Sequence, residues 1–85
     1  MKIYDFNGKK NICGSQIRLA RVKRKLTQSD LAVKMQLEGV ILEQNGISQI
    51  ELKKRIITDY ELLTFAKVLK TDIGRLLSDG EDTAD

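Results

Sequence analysis

The sequence predicts a small all-α fold, and three observations carry that expectation. Apolar residues recur mostly at helical spacing, proline is absent, and two Tyr and two Phe are the only aromatic residues in 85. Helical spacing lets one stripe of each segment be buried against the others, so the economical architecture is a bundle of short helices. Without proline, no ring forces a break inside those segments. A chain of this length buries only about 60–65% of the surface it exposes when unfolded, which gives one domain and a locally built core.

The elements follow in order. Residues 1–13 form an N-terminal arm in which Asn7-Gly8 sits between Lys2-Ile3-Tyr4-Asp5-Phe6 and Lys9-Lys10-Asn11-Ile12. That pair is a type I′ hairpin signal, but the flanks are short, so the arm is extended or loosely paired. The first helix is expected over about Ser15 to Lys25, with Ile17 and Ala20 inward and Arg18, Lys23 and Arg24 outward. Thr27 is a good N-cap for the second helix, with Asp30 three residues on as its capping-box partner. Leu31, Ala32 and Met35 make its core stripe, it should end near Leu37, and Gly39 is free to take the left-handed turn conformation.

Val40, Ile41 and Leu42 lead into a third helix, from about Glu43 to Leu52. There Ile47, Ile50 and Glu51 share one side, and Gln44, Asn45, Ser48, Gln49 and Leu52 share the other. The fourth helix opens on Thr58 with Glu61 at the capping-box position and has Leu62, Leu63, Ala66 and Leu69 as its apolar face. In the fifth, Asp72 is the cap and Ile73, Leu76 and Leu77 close the core. From Ser78 the residues are small and acidic, so 78–85 are expected to be a disordered tail beyond a domain of residues 14–77.

Composition excludes several function classes. Cys13 alone can form no internal disulfide, and with no histidine the chain offers neither a zinc site nor histidine-based acid/base chemistry. Nothing combines a nucleophile, a base and a pocket, so neither an enzyme nor a cofactor is expected. No segment reaches the roughly 18 apolar residues of a membrane span, and the N-terminus has no signal-peptide run, which points to a cytoplasmic protein. The net charge of +3 hides an asymmetry: residues 1–26 carry eight basic side chains against Asp5. Residues 27–77 hold seven of each sign, and the tail carries Asp79, Glu81, Asp82 and Asp85. A basic stretch of this kind is either a solvated helix face or a surface that attracts phosphate backbones.

The most informative stretch runs from Leu26 to Glu51, with Lys53, Lys54 and Arg55 directly after it. A short capped helix, a turn, and a second helix with one apolar stripe and one face of amides is how proteins lay side chains into the major groove of DNA. From about Ile12 to Leu77 the chain resembles the Cro and phage-repressor (Xre-like) helix-turn-helix family. The resemblance rests on IRLAR, LTQSDLA, ISQIE, the following KKR, and YELLTFAKVL with IGRLL, all in order and spacing.

That resemblance implies a five-helix lambda-repressor-like domain whose third helix enters the major groove. It implies base contacts from Gln44, Asn45, Ser48 and Gln49, and phosphate contacts from Gln28, Lys53, Lys54 and Arg55. It also pairs Arg21 with Glu51 as a structural ion pair. The expected function is a sequence-specific regulator of transcription that binds double-stranded DNA, with repression favoured. The alternatives are an antitoxin of a toxin–antitoxin pair, or an interaction module that keeps the fold without DNA binding. A weak homodimer formed or strengthened on DNA would draw on Leu52, Tyr60, Phe65, the last helix, or Tyr4 and Phe6. Four departures from the family stand out, one of them Leu52-Lys53 where Asn-Gly often ends the third helix. The connection from Met35 to Gln44 is long, Glu43 occupies the cap position, and Gly46 lies inside the third helix, where it costs roughly 1 kcal/mol relative to Ala.

Overall fold

A computed structural model describes residues 6–78 and contains five helices. They are α1 (Gly14–Lys23), α2 (Gln28–Leu37), α3 (Gln44–Glu51), α4 (Asp59–Val68) and α5 (Ile73–Leu77). The expectations for Tyr4 and for the tail beyond Ser78 fall outside the described residues. Among the described residues no helix is long and apolar enough to cross a membrane.

Two of the helices, α2 and α4, start where a capping box satisfies their free N–H groups. Thr27 Oγ1 accepts from Asp30 N at 3.0 Å while the Asp30 carboxylate accepts from Thr27 N at 2.9 Å, and Thr58 and Glu61 repeat the arrangement at α4. The Thr27 N–H, and after it the Thr27 hydroxyl, hold the Asp30 carboxyl below the usual carboxylate range. Asp72 stands at the N-cap position of α5 but makes no side-chain capping bond, which corrects the cap assigned to it.

Each of the four longer helices ends in the same way. The residue after the C-cap is left-handed, and its N–H and the next one bond back into the last turn: Lys25 and Leu26 do so to Val22 O and Arg21 O. Gly39, Lys53 and Lys70 close α2, α3 and α4 by the same pattern. Gly39 takes the role its residue type predicts. At the other three ends a lysine accepts the strained φ, between +52° and +63°, so α1 stops two residues short of the expected Lys25.

The core gathers around α3. Ile17, Leu31, Met35, Ile47, Ile50, Phe65, Leu69 and Leu76 are fully buried, with Cys13, Val40, Leu42 and Ala66 around them. Burial in this apolar setting pushes the Cys13 thiol upward from its ordinary pKa. Three expectations change here. Phe65 is fully buried rather than available to a partner, Leu63 is exposed, and Leu77 faces outward. Phe65 lies one turn from both Glu61 and Leu69, so those three share the inner face of α4, and Leu63 lies two residues, about 200°, away.

Candidate nucleic-acid interface

The two ends of α3 are built differently. At its start, Glu43 occupies the N-cap position without a side-chain capping bond, and Gln44 and Asn45 are exposed. Ser48 and Gln49 are half-buried, on the flank of the helix. The one side-chain bond at this end joins Gln44 to α2: Gln44 Nε2 donates to Gln28 Oε1 at 2.6 Å.

Gln28 continues the chain of bonds inward. Its Nε2 donates to Glu51 Oε1 at 3.0 Å, and that carboxylate is held by Arg21, with Nε donating to Oε2 at 2.7 Å and Nη2 to Oε1 at 3.0 Å. Arg21 Nη1 also donates to Leu26 O at 2.8 Å. The Arg21–Glu51 pair that the family resemblance implied is two-pronged and nearly dry, with the two side chains 12% and 3% exposed. The hydrogen bonds that Arg21 donates to Glu51, against the opposing effect of burial, raise the Arg21 pKa. A shallow depression of about 450 Å³ opens beside the network, lined by Lys25, Thr27, Gln28, Ser29 and Gln44.

At its C-terminal end α3 is clamped by the segment that precedes α1. Asn11 Nδ2 donates to Ile50 O at 3.0 Å and to Arg55 O at 2.8 Å. Its Oδ1 accepts from Cys13 N and Gly14 N, at 3.0 and 2.8 Å, which satisfies the start of α1. Lys10 N donates to Lys53 O, and Gly14 runs so close to α3 that a Cβ there would lie 2.3 Å from Ile50 O. Part of the arm is thus tied to the domain, and its Asn7-Gly8 turn, with both residues at positive φ, pairs Phe6 with Lys9 as the hairpin signal implied.

The basic residues after α3 do not share one environment. Lys54 is exposed and Lys53 half-buried. Arg55 instead turns its guanidinium onto Glu61, at 3.2 and 3.3 Å, a carboxylate buried beneath α4 that also caps Thr58. Arg24 is exposed as expected, and its guanidinium reaches the end of α4, where Nε donates to Leu69 O and Nη2 to Lys70 O.

Reasoning from sequence missed Asn11, Gly14, Arg24 and the Gln28–Glu51 bond. An Asn whose side chain can accept from the N–H two residues on, the Asx turn, is a local signal that could have singled out Asn11. The other three depend on contacts between elements far apart in the chain.

The fold and this site define a class: a five-helix domain with a helix-turn-helix made of α2 and α3. A helix-turn-helix family matches residues 17–76, and the chain belongs to this family, the Cro/C1 type. Among solved structures it is similar to the repressor of P22, crystallised as the "P22 c2 repressor protein in complex with synthetic operator 9T in the presence of Tl+". The two share 29% identity with a TM-score of 0.67, over 81% of this chain and 97% of that one. No curated protein matches the chain in sequence. Family and neighbour together support a DNA-binding transcription regulator.

Proposed function

We propose that the protein is a sequence-specific repressor that inserts the start of α3 into the major groove of double-stranded DNA. The observation that carries this reading is the exposed, uncapped start of α3, where the Gln44 amide is oriented by Gln28. A primary amide has two N–H donors and one oxygen acceptor. With one N–H given to Gln28, Gln44 keeps a donor and an acceptor, the pair that reads adenine N7 and N6. Asn45 beside it offers the same edge, and Ser48 and Gln49 reach flanking positions. No Arg stands on this face to read guanine, so the critical operator positions are A·T pairs.

Phosphates are met on both sides of that helix. The start of α2 has free backbone N–H groups, a helix dipole and the nearby Lys25, so the depression lined by Gln28 and Ser29 suits a phosphate. Gln28 retains a second N–H for it. Lys53 and Lys54 supply charge beyond the other end, while the Arg55 charge is met by Glu61, leaving Arg55 only its spare N–H groups for a phosphate. One recognition helix reads only a few base pairs, so the active form is a pair of chains on half-sites about 34 Å apart. Exposed Leu52 and Tyr60 are available for that weak contact.

Mobility shifts at several salt concentrations test the proposal. Log affinity should fall linearly with log salt by about 0.9 per phosphate neutralised, and Lys53→Ala with Lys54→Ala should weaken all duplexes and flatten the slope. Gln44→Ala should cost about 1–3 kcal/mol on a selected site and little on random DNA. Equal losses on both kinds of duplex would rule out base reading by Gln44.

A further inference from the structure

The Arg21–Glu51 pair has an unequal distribution of bonds. Among the described residues Glu51 Oε2 accepts from Arg21 Nε, whereas Oε1 accepts from Arg21 Nη2 and from Gln28 Nε2, both at 3.0 Å. An ionised carboxylate is acceptor-only, so it can face only the nitrogen end of the Gln28 amide. That choice turns the Gln28 oxygen toward Gln44, where it accepts at 2.6 Å, and this in turn draws the nitrogen end of the Gln44 amide inward. The three side chains form a directional series in which each link leaves the next amide one orientation.

We propose that Glu51 is a positioning residue for base reading. From inside the domain, and through Gln28, it sets which way round the Gln44 amide presents its donor and acceptor to DNA. The proposal rests on the reading of Gln44 as a base contact. It adds that the order of donor and acceptor at the tip of α3 is fixed by a buried charge 7% exposed at the helix's other end. Reversing the amides would set Gln44 oxygen against adenine N7 and its N–H against N6, two mismatched pairs.

Two substitutions break the series at different links. Gln28→Leu removes the middle amide and leaves the Arg21–Glu51 pair in place. Glu51→Gln gives the inner position a donor; when that donor turns to Gln28 it takes the Gln28 oxygen, and the remaining N–H groups then face Gln44 and force its amide round. The experiment starts from a duplex that the unaltered protein selects out of a random pool. Binding is measured on that duplex and on versions with each A·T pair changed to G·C, for the unaltered protein, Gln44→Ala, Gln28→Leu and Glu51→Gln.

The pair whose discrimination vanishes in Gln44→Ala is the one Gln44 reads. At that pair Gln28→Leu and Glu51→Gln should each lose about tenfold in discrimination, the size of a good bidentate contact. If Gln28 also holds a phosphate, its removal weakens all duplexes alike and cancels in this ratio. Retention of discrimination by either variant overturns the proposal, and if Glu51→Gln does not fold, Glu51→Asp, which keeps a carboxylate for Arg21 but draws it back from Gln28, is measured in its place. If no pair changes in Gln44→Ala, the base-reading assignment fails first and the positioning role falls with it.

Discussion

The two ends of α3 divide the work of the domain between them. Its last turn touches Asn11, Gly14 and Arg21, the turn just beyond it bonds the backbone of Lys10, and every one of those contacts is a close polar fit or a close backbone approach. Its first turn has an uncapped N-terminus, two exposed amides and a single side-chain bond to α2. A helix held at one end and open at the other can be aimed without being covered. Exposed side chains then recognise a partner from a fixed backbone, which keeps the entropy lost on binding small.

Substitutions at the closed end should therefore act on stability, and the largest effect is expected at Arg21. Arg21→Met leaves the Glu51 carboxylate, 3% exposed, without its counter-charge, and breaking a buried pair on one side costs about 3–5 kcal/mol. Chemical denaturation of Arg21→Met, Glu51→Gln and the double variant gives the coupling, which should exceed the roughly 0.2–1 kcal/mol of exposed pairs. Coupling near zero would mean that the closed end is not held by charge. Next comes Gly14→Ala. Its Cβ would stand 2.3 Å from one backbone oxygen of α3 and 2.8 Å from another, so helix backbones must move apart, at about 3 kcal/mol, the upper end of ordinary overpacking. A variant of unaltered stability would show that α1 and α3 separate freely.

Asn11→Ala is expected to cost about 2 kcal/mol, because it strips one donor from two carbonyls and one acceptor from the first N–H groups of α1. The same residue holds Arg55 O and so the turn that carries Lys53 and Lys54, which makes a second readout available. Affinity for random duplex should fall along with stability if that turn meets phosphates. Loss of stability with unchanged affinity would place the turn away from DNA.

The contrast between the ends was only half legible in the sequence. Local signals were reliable: Thr27 with Asp30, Thr58 with Glu61, Gly39 as a left-handed stop and the amide face of α3 all depend on residues within a turn or two of each other. The Arg21–Glu51 pair came from family resemblance. The closed end was hidden because Asn11 and Gly14 meet α3 across about forty residues of chain, and neither residue type announces a distant partner. Phe65 and Leu63 were exchanged for a simpler reason. Leu62, Leu63, Ala66 and Leu69 make a plausible apolar stripe, and only the packing of α4 on its neighbours shows that the stripe is centred on Phe65. Lysines at left-handed helix ends, where glycine is the usual sign, concealed three of the four stops.

The smallest expected effect belongs to the open end and has the opposite sign. Gly46 is in the third position of α3, and a Cβ added there meets only Leu42 Cδ2 at 3.7 Å, an ordinary contact. Nothing among the described residues requires glycine at this place, so Gly46→Ala should gain the helix propensity that glycine forgoes, up to about 1 kcal/mol. The same methyl group tests the function of the open end, because a helix start that lies deep in a groove brings its backbone near the DNA. Gly46→Ala should then be more stable in denaturation and weaker on the selected duplex. A variant that gains stability and binds as well as before would show that α3 meets DNA through its side chains alone; one that loses stability would show that this end is packed as tightly as the other.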